Sequence, residues 1–156
     1  MEIEKKYLVD MQTIPFDISQ FKSHFIEQAY LCTDPVVRVR KEDNNFYMTY
    51  KGKGLMAREE YNLPLTEEAY VHLLGKADGN IITKRRYLIP YNENSLGKDL
   101  TIELDIFEGV FTGTCLAEIE FETLEDAENI TPPDWFGKDV TFEKTYHNSQ
   151  MSKKIF

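Results

Sequence analysis

Charged and apolar residues alternate in short segments along this chain. In residues 1–8 (MEIEKKYL) the charges Glu2, Glu4 and Lys6 take every second position, with Ile3, Lys5 and Tyr7 on the opposite parity. Successive side chains of a strand point to opposite faces, so the pattern predicts a strand with three charges on one side. The device returns in six later segments. Residues 36–41 set Arg38 and Arg40 against Val37 and Val39, residues 46–51 end on Lys51, and residues 57–65 set Arg58, Glu60 and Asn62 against Glu59, Tyr61 and Leu63. Residues 80–90 carry Lys84 and Arg86, residues 101–107 carry Glu103 and Asp105 against Ile102, Leu104 and Ile106, and residues 115–122 carry Glu118 and Glu120 against Ile119 and Phe121. Residues 26–33 add an eighth strand without such a charged row.

Turn residues separate these segments. Asp34-Pro35 and Asp43-Asn44-Asn45 predict tight connections, and Gly52-Lys53-Gly54 reads as a hairpin loop, since no Gly-Lys-Ser/Thr ending and no helix follow it to make a phosphate loop. A helix is predicted after the N-cap Thr66, with Ala69, Tyr70, Leu73 and Leu74 as its apolar stripe and the glycines at 75 and 79 as its stop. Ile18, Phe21 and Phe25 are spaced for a short helix or helical turn over residues 17–25. A short acidic helix after Leu124, a Pro132-Pro133 loop and a C-terminal helix from Lys144 complete the chain, and this last part is expected to pack outside the sheet.

Composition narrows the class. At 156 residues the chain suits a single domain, 1–156, and its 42% hydrophobic and 13% aromatic content supports a real core. No apolar run approaches a membrane span, and the opening Met-Glu-Ile-Glu lacks the plan of a signal peptide, so a soluble cytoplasmic protein is expected. Cys32 and Cys115 are expected as two reduced core thiols. A net charge of −9 argues against nucleic acid as the main partner.

The charged face changes the picture most. It collects seven cations (Lys6, Arg38, Arg40, Lys51, Arg58, Lys84, Arg86) and seven anions (Glu2, Glu4, Glu60, Glu103, Asp105, Glu118, Glu120), so the net charge lies wholly outside it. An exposed ion-pair ladder would explain any one strand, but such pairs contribute only about 0–1 kcal/mol each, and seven charged rows of one parity are a poor way to build a surface. Eight antiparallel strands close most simply into a barrel, with the apolar face covered by helices and loops and the charged face lining a water-filled channel. Cations and carboxylates lining one channel are complementary to a polyphosphate accompanied by divalent metal, because hard cations such as Mg²⁺ and Mn²⁺ bridge protein carboxylates to phosphate oxygens. No zinc spacing of the histidines, no CxxC pair and no Gly-x-Ser-x-Gly elbow supports a rival chemistry.

The ordered set Glu2-x-Glu4-x-Lys6, Arg38-x-Arg40, Lys51, Arg58-x-Glu60, Lys84-x-Arg86, Glu103-x-Asp105 and Glu118-x-Glu120 resembles the CYTH superfamily, the triphosphate tunnel metalloenzymes, and in particular its compact bacterial members. Gln28-Ala29-Tyr30-Leu31, the Pro-Pro-x-Trp-Phe-Gly loop and Tyr146-x-Asn148 extend the likeness over nearly the whole chain. The resemblance implies an α+β, mainly β fold: an eight-stranded antiparallel closed barrel, the triphosphate tunnel, with a few helices outside. It implies that the seven cations hold a linear triphosphate. It implies that Glu2, Glu4, Glu118 and Glu120, assisted by Glu60 and Asp105, hold one or two Mg²⁺ or Mn²⁺ ions, and that Lys6, Arg58 and Glu60 serve the chemistry. One position departs: relatives continue Arg-x-Glu-x-Glu in the fifth strand, whereas this chain has Asn62 after Arg58-x-Glu60, so a nearby ion should be held less tightly.

The function so implied is metal-dependent hydrolysis of a phosphoanhydride in a small-molecule triphosphate, with inorganic tripolyphosphate favoured. A class IV adenylyl cyclase making cyclic AMP from ATP, and a non-catalytic polyphosphate-binding module, are the alternatives. No membrane partner is expected, and a homodimer is left open.

Overall fold

A computed structural model describes residues 1–156 of the chain. Nine strands form one antiparallel sheet: β1 (Glu2–Leu8), β2 (Lys22–Thr33), β3 (Val36–Glu42), β4 (Asn45–Lys51), β5 (Ala57–Arg58), β6 (Glu60–Pro64), β7 (Asp78–Tyr91), β8 (Leu100–Phe107) and β9 (Cys115–Glu120). Their order is β5-β1-β9-β8-β7-β2-β3-β4-β6. The two edges are consecutive in the chain. At Glu59 the backbone leaves β1, where Arg58 pairs with Glu2, and joins β4, where Glu60 pairs with Lys51. The strand expected over 57–65 is thus two short strands serving two partners, and together they close the ring that eight strands were expected to form. Closure leaves no long sheet edge open to another chain.

The alternation holds in the register. Lys6 faces Glu118 across β1 and β9, Glu103 faces Glu118 across β8 and β9, and Arg86 faces Asp105 across β7 and β8, so all of them share the inner face. The outer face of β1, β9, β8 and β7 is apolar and covered. Ile3, Ile102, Leu104, Ala117 and Ile119 pack beneath Ile14, Phe16, Ile18, Phe21, Trp135 and Phe136 from residues 9–21 and 130–137, joined by Ala127 of α2 (Leu124–Asn129). The apolar spacing at Ile18 and Phe21 therefore reflects a loop packing on the barrel. Of the short helix or helical turn expected over 17–25, a single 3-10 turn forms, at Ile18–Gln20; β2 has begun by Lys22, so Phe25 is a strand residue. The helix α1 (Glu67–Leu74) does form, with the Thr66 hydroxyl accepting from the Ala69 N–H, and it buries Tyr70 near β3 and β4. Beyond α1 the cover stops. Tyr50, Tyr61 and Leu63 on the outer face of β4 and β6 stay 40%, 57% and 53% exposed.

A second core cluster lies at one end of the barrel. Leu8, Tyr30, Val36, Ile82, Phe107 and Leu116 continue the parity of the charged rows and meet Val140, Tyr146 and Met151 of the C-terminal segment. That segment is a 3-10 turn at Lys144–Tyr146 followed by the short helix α3 (Asn148–Met151), in place of one continuous helix. It does not lie outside the sheet as expected. Gly79, with φ +75°, brings the backbone so close to the Ser152 carbonyl that a Cβ there would meet it at 2.2 Å, and Asn80 N–H donates to that carbonyl at 2.6 Å. Of the two cysteines, Cys115 is buried as expected, but Cys32 is exposed, because it falls at the end of β2 next to a register shift.

Candidate active site

Seventeen residues line the barrel cavity, and two of them are apolar. All seven predicted cations are among them, with Glu2, Glu4, Glu60, Glu103 and Glu118. Glu120 stands at the rim in an adjoining groove with Glu103, Glu122 and Asp126. Asp105 lies behind the lining, fully buried, with Arg86 donating to both its oxygens at 2.7 and 2.9 Å and Lys84 Nζ at 2.7 Å. It anchors two cations, and neither of its oxygens is open to the cavity.

Most of the charges are paired. Lys6 Nζ lies 3.3 Å from Glu118, Lys51 Nζ 3.0 Å from Glu2 and 3.9 Å from Glu60, Arg58 Nε 3.8 Å from Glu2, and Arg86 also reaches Glu103 at 2.8 Å. Four charges are left over, and they lie on opposite sides. Arg38 and Arg40 of β3 have no carboxylate within 4 Å, and the Nε of Arg38 is buried with no hydrogen-bond partner at all. Glu4 of β1 and Glu120 of β9 have no cation partner, although they pair directly across the two strands. Round the closed ring, with β5 and β6 counted as the one position they share, β3 is three strands from β1 and four from β9. One wall therefore offers unspent positive charge and the facing wall unspent negative charge.

The titration behaviour follows from this division. Burial and the neighbouring Glu118 push the Glu4 carboxyl up to about 8. Burial also raises Glu2, Glu103 and Glu120. Burial would raise Glu118 too, but Lys6, Arg86 and Lys84 hold it well below the usual carboxylate range. For Glu60 burial is likewise overcome, by a hydrogen bond with Glu2 and by Lys51 and Arg38, and its pKa is lowered. On the positive wall, burial brings Arg40 down to about 9, helped by Arg38 and Arg86, and burial brings Lys84 down to about 7 despite Asp105. Glu4 and Arg40, one on each wall, resist their own charge and would be relieved by a ligand of the opposite sign.

Sequence patterns did not show that the C-terminal segment enters the site. Lys6 Nζ donates to the Tyr146 carbonyl at 3.2 Å, Lys84 Nζ donates to Asn148 Oδ1 at 3.0 Å, and His147 and Ser149 join the lining. Gln28, also unassigned by charge or parity, is fully buried beneath Arg40. The signal available was the presence of Gln28 and Asn148 in the motifs of the resemblance; nothing in the hydropathy pattern sets them apart. Asn62 has the expected parity, but its Oδ1 accepts from Thr49 at 2.6 Å, and Thr49 accepts from Arg38 at 3.1 Å. It thus borders the positive wall.

The residues fit a hard divalent cation in donor type. No three carboxylates or imidazoles converge on one point, yet Glu4 and Glu120 face each other without a counter-charge and Glu2 and Glu118 lie along the same wall. Like charges directly opposite on neighbouring strands are destabilising unless something neutralises them. Oxygen-only donors of this kind suit Mg²⁺ or Mn²⁺.

Comparison with known proteins gives a consistent result. Residues 1–154 match the CYTH domain. An inorganic triphosphatase of Nitrosomonas europaea is 31% identical over 99% of this chain and 98% of its own length, and an inorganic triphosphatase of Acetivibrio thermocellus is 33% identical over 99% and 95%. The crystal structure of an inorganic triphosphatase superposes with a TM-score of 0.71 at 28% identity, covering 99% of this chain and 96% of that one. A putative adenylate cyclase from Bacillus halodurans shares the fold alone, with a TM-score of 0.56 at 17% identity over 100% of this chain and 93% of its own.

Proposed function

The chain belongs to the CYTH domain family, and on that premise we propose that it hydrolyses inorganic tripolyphosphate with the help of Mg²⁺ or Mn²⁺. The observation that carries this reading is the split of unspent charge: Arg38 and Arg40 on one wall, Glu4 and Glu120 on the other. A linear triphosphate laid along the first wall meets two guanidiniums that no carboxylate neutralises. Arg38 Nε is an unfilled buried donor, a costly feature in a protein interior unless a ligand completes it. Arg40, Lys84 and Arg86 extend the row, and Lys51, Lys6 and Arg58 lie toward the carboxylate wall.

Glu4 and Glu120, with Glu2 and Glu118, would hold the metal, and Glu60 stands at the edge of this group; Asp105 is already spent on Arg86 and Lys84. When bound there, a divalent ion supplies charge neutralisation and polarisation of phosphoryl oxygens. The chain's own residues do the rest. In the reaction, water attacks a terminal phosphorus, the P–O bond to the bridging oxygen breaks, and pyrophosphate and orthophosphate leave with release of a proton. Lys6 and Arg58, close to Glu118 and Glu2, are placed to stabilise the negative charge that grows on the transferring group and the leaving oxygen. Glu60, kept ionised, orients the attacking side of the site. The same relatives favour hydrolysis over cyclisation, since those 31% and 33% identical are inorganic triphosphatases, whereas likeness to the adenylate cyclase stops at the fold.

The test is to incubate purified protein with Mg²⁺ or Mn²⁺ and either tripolyphosphate or ATP, and to resolve the products. Orthophosphate and pyrophosphate from tripolyphosphate are expected, with no cyclic AMP from ATP. Cyclic AMP as the main product, or binding without turnover, would replace this reading with one of its two alternatives.

A further inference from the structure

Two buried amides join cations that the charge pattern alone leaves unconnected. Arg40 Nε donates to Gln28 Oε1 at 2.8 Å, Gln28 Nε2 donates to Asn148 Oδ1 at 2.8 Å, and Lys84 Nζ donates to the same Asn148 oxygen at 3.0 Å. Gln28 is fully buried and Asn148 is 8% exposed. The orientation of both amides is dictated from the ends. Guanidinium and ammonium groups can only donate, so Gln28 must present its oxygen to Arg40 and its nitrogen to Asn148, and Asn148 must present its oxygen to both Gln28 and Lys84. The relay has one consistent arrangement, and it ties β2, β3 and β7 to the C-terminal segment.

We propose that Gln28 and Asn148 are positioning residues: Gln28 holds Arg40 in place for the polyphosphate without neutralising it, and Asn148 adds a neutral contact that orients Lys84; this inference rests on the triphosphate reading above. Asp105 shows what the alternative would do. It fixes Arg86 as firmly as Gln28 fixes Arg40, but as a buried anion it also spends the charge of Arg86 and Lys84 before substrate arrives. A neutral carboxamide gives direction and leaves the charge. That is why Arg40 can be half-buried and tied down while no carboxylate lies within 4 Å of it. The C-terminal segment thereby sets the end of the phosphate row, because Lys84 is oriented by Asn148 as well as by Asp105.

A merely structural role makes a different forecast from a positioning role. Asn148→Asp keeps shape and hydrogen bonds and adds an anion among cations, so a structural network would be as stable or more so and would treat substrate as before; Gln28→Glu adds an anion too but gives up the N–H that Asn148 accepts. A positioning role requires both variants to bind tripolyphosphate more weakly, roughly ten- to a hundredfold, as expected for losing one charge-assisted contact, with Asn148→Asp at unchanged or higher melting temperature. KM should rise while kcat at saturation moves little. Gln28→Met covers the case in which the acidic variants do not fold, since it packs in the same space and cannot hold Arg40. It should weaken binding at least several-fold in the wild-type background and have no further effect in an Arg40→Ala background, the signature of acting through Arg40. Binding is read by titration calorimetry with Mg²⁺ and an imido-bridged tripolyphosphate that cannot be cleaved. Wild-type affinity in Gln28→Glu and Asn148→Asp, or equal losses from Gln28→Met with and without Arg40, would overturn the inference while leaving triphosphate binding intact. A wild type that does not bind the analogue would instead overturn the functional reading, and the positioning role with it.

Discussion

On the proposed reading, Arg38 is kept for binding at the expense of stability. It is 6% exposed, its Nε has no partner, and its one hydrogen bond goes to Thr49. Replacing a buried and uncompensated charge with an apolar side chain of similar volume is neutral or stabilising as a rule. Arg38→Met should therefore raise the melting temperature, by about 2–4 °C if the gain is about 1 kcal/mol, while weakening tripolyphosphate binding roughly ten- to a hundredfold. Thermal unfolding and calorimetry on the same preparation check both halves; a variant that lost stability and kept affinity would mean that Arg38 serves the fold. At this scale the sequence was informative about side and silent about partner. Parity put Arg38, Lys84 and Asp105 on one face, but parity cannot say that Asp105 would be consumed by Arg86 and Lys84 while Arg38 went without. That depends on which strands become neighbours, and the alternation is the same for any strand order.

Among the elements, the strands were legible and the segments packed against them were not. A strand advertises itself through period two, and six charged rows repeat that period. The C-terminal segment has no such period, because it is shaped by what it meets: Gly79 and Asn80 at its end, Lys6, Lys84 and Gln28 at its middle. The 57–65 strand divides for a related reason, since closing the barrel requires one stretch to serve two partners. His147 makes the segment's docking measurable. Its Nε2–H donates to the Thr141 carbonyl at 2.8 Å, the Lys6 N–H donates to the Thr141 hydroxyl at 3.0 Å, and burial, with Lys6 nearby, lowers the imidazole to about 4. A histidine whose folded pKa is depressed below its unfolded value of about 6.5 gives its full stability above that value and loses it as pH falls toward 4. The raised carboxyls Glu2, Glu4, Glu103 and Glu120 act with the opposite sign, because the folded state binds their protons more readily as pH falls. The histidine is isolated by difference. Chemical denaturation between pH 7 and 4.5 should show wild type losing more stability than His147→Gln; parallel curves would mean that the imidazole is not held neutral by the C-terminal segment.

For the whole molecule the main fact is the separation of charge at two levels. The fourteen charges of the inner rows balance, and the net −9 resides elsewhere on the chain. A polyanion therefore meets an acidic exterior, which favours its approach as a metal chelate of reduced charge. Inside, unspent cations on β3 face unspent carboxylates on β1 and β9, so on the proposed reading triphosphate and metal would each relieve the wall that the other leaves strained. Binding of either should promote binding of the other. The most direct measurement is the melting temperature with Mg²⁺ alone, with uncleavable imido-bridged tripolyphosphate alone, and with both. Chelation in free solution lowers the concentration of each ligand and works against any excess, so a joint shift clearly larger than the sum of the separate shifts is the result expected of one cavity with two complementary walls. A joint shift equal to or smaller than that sum would contradict it.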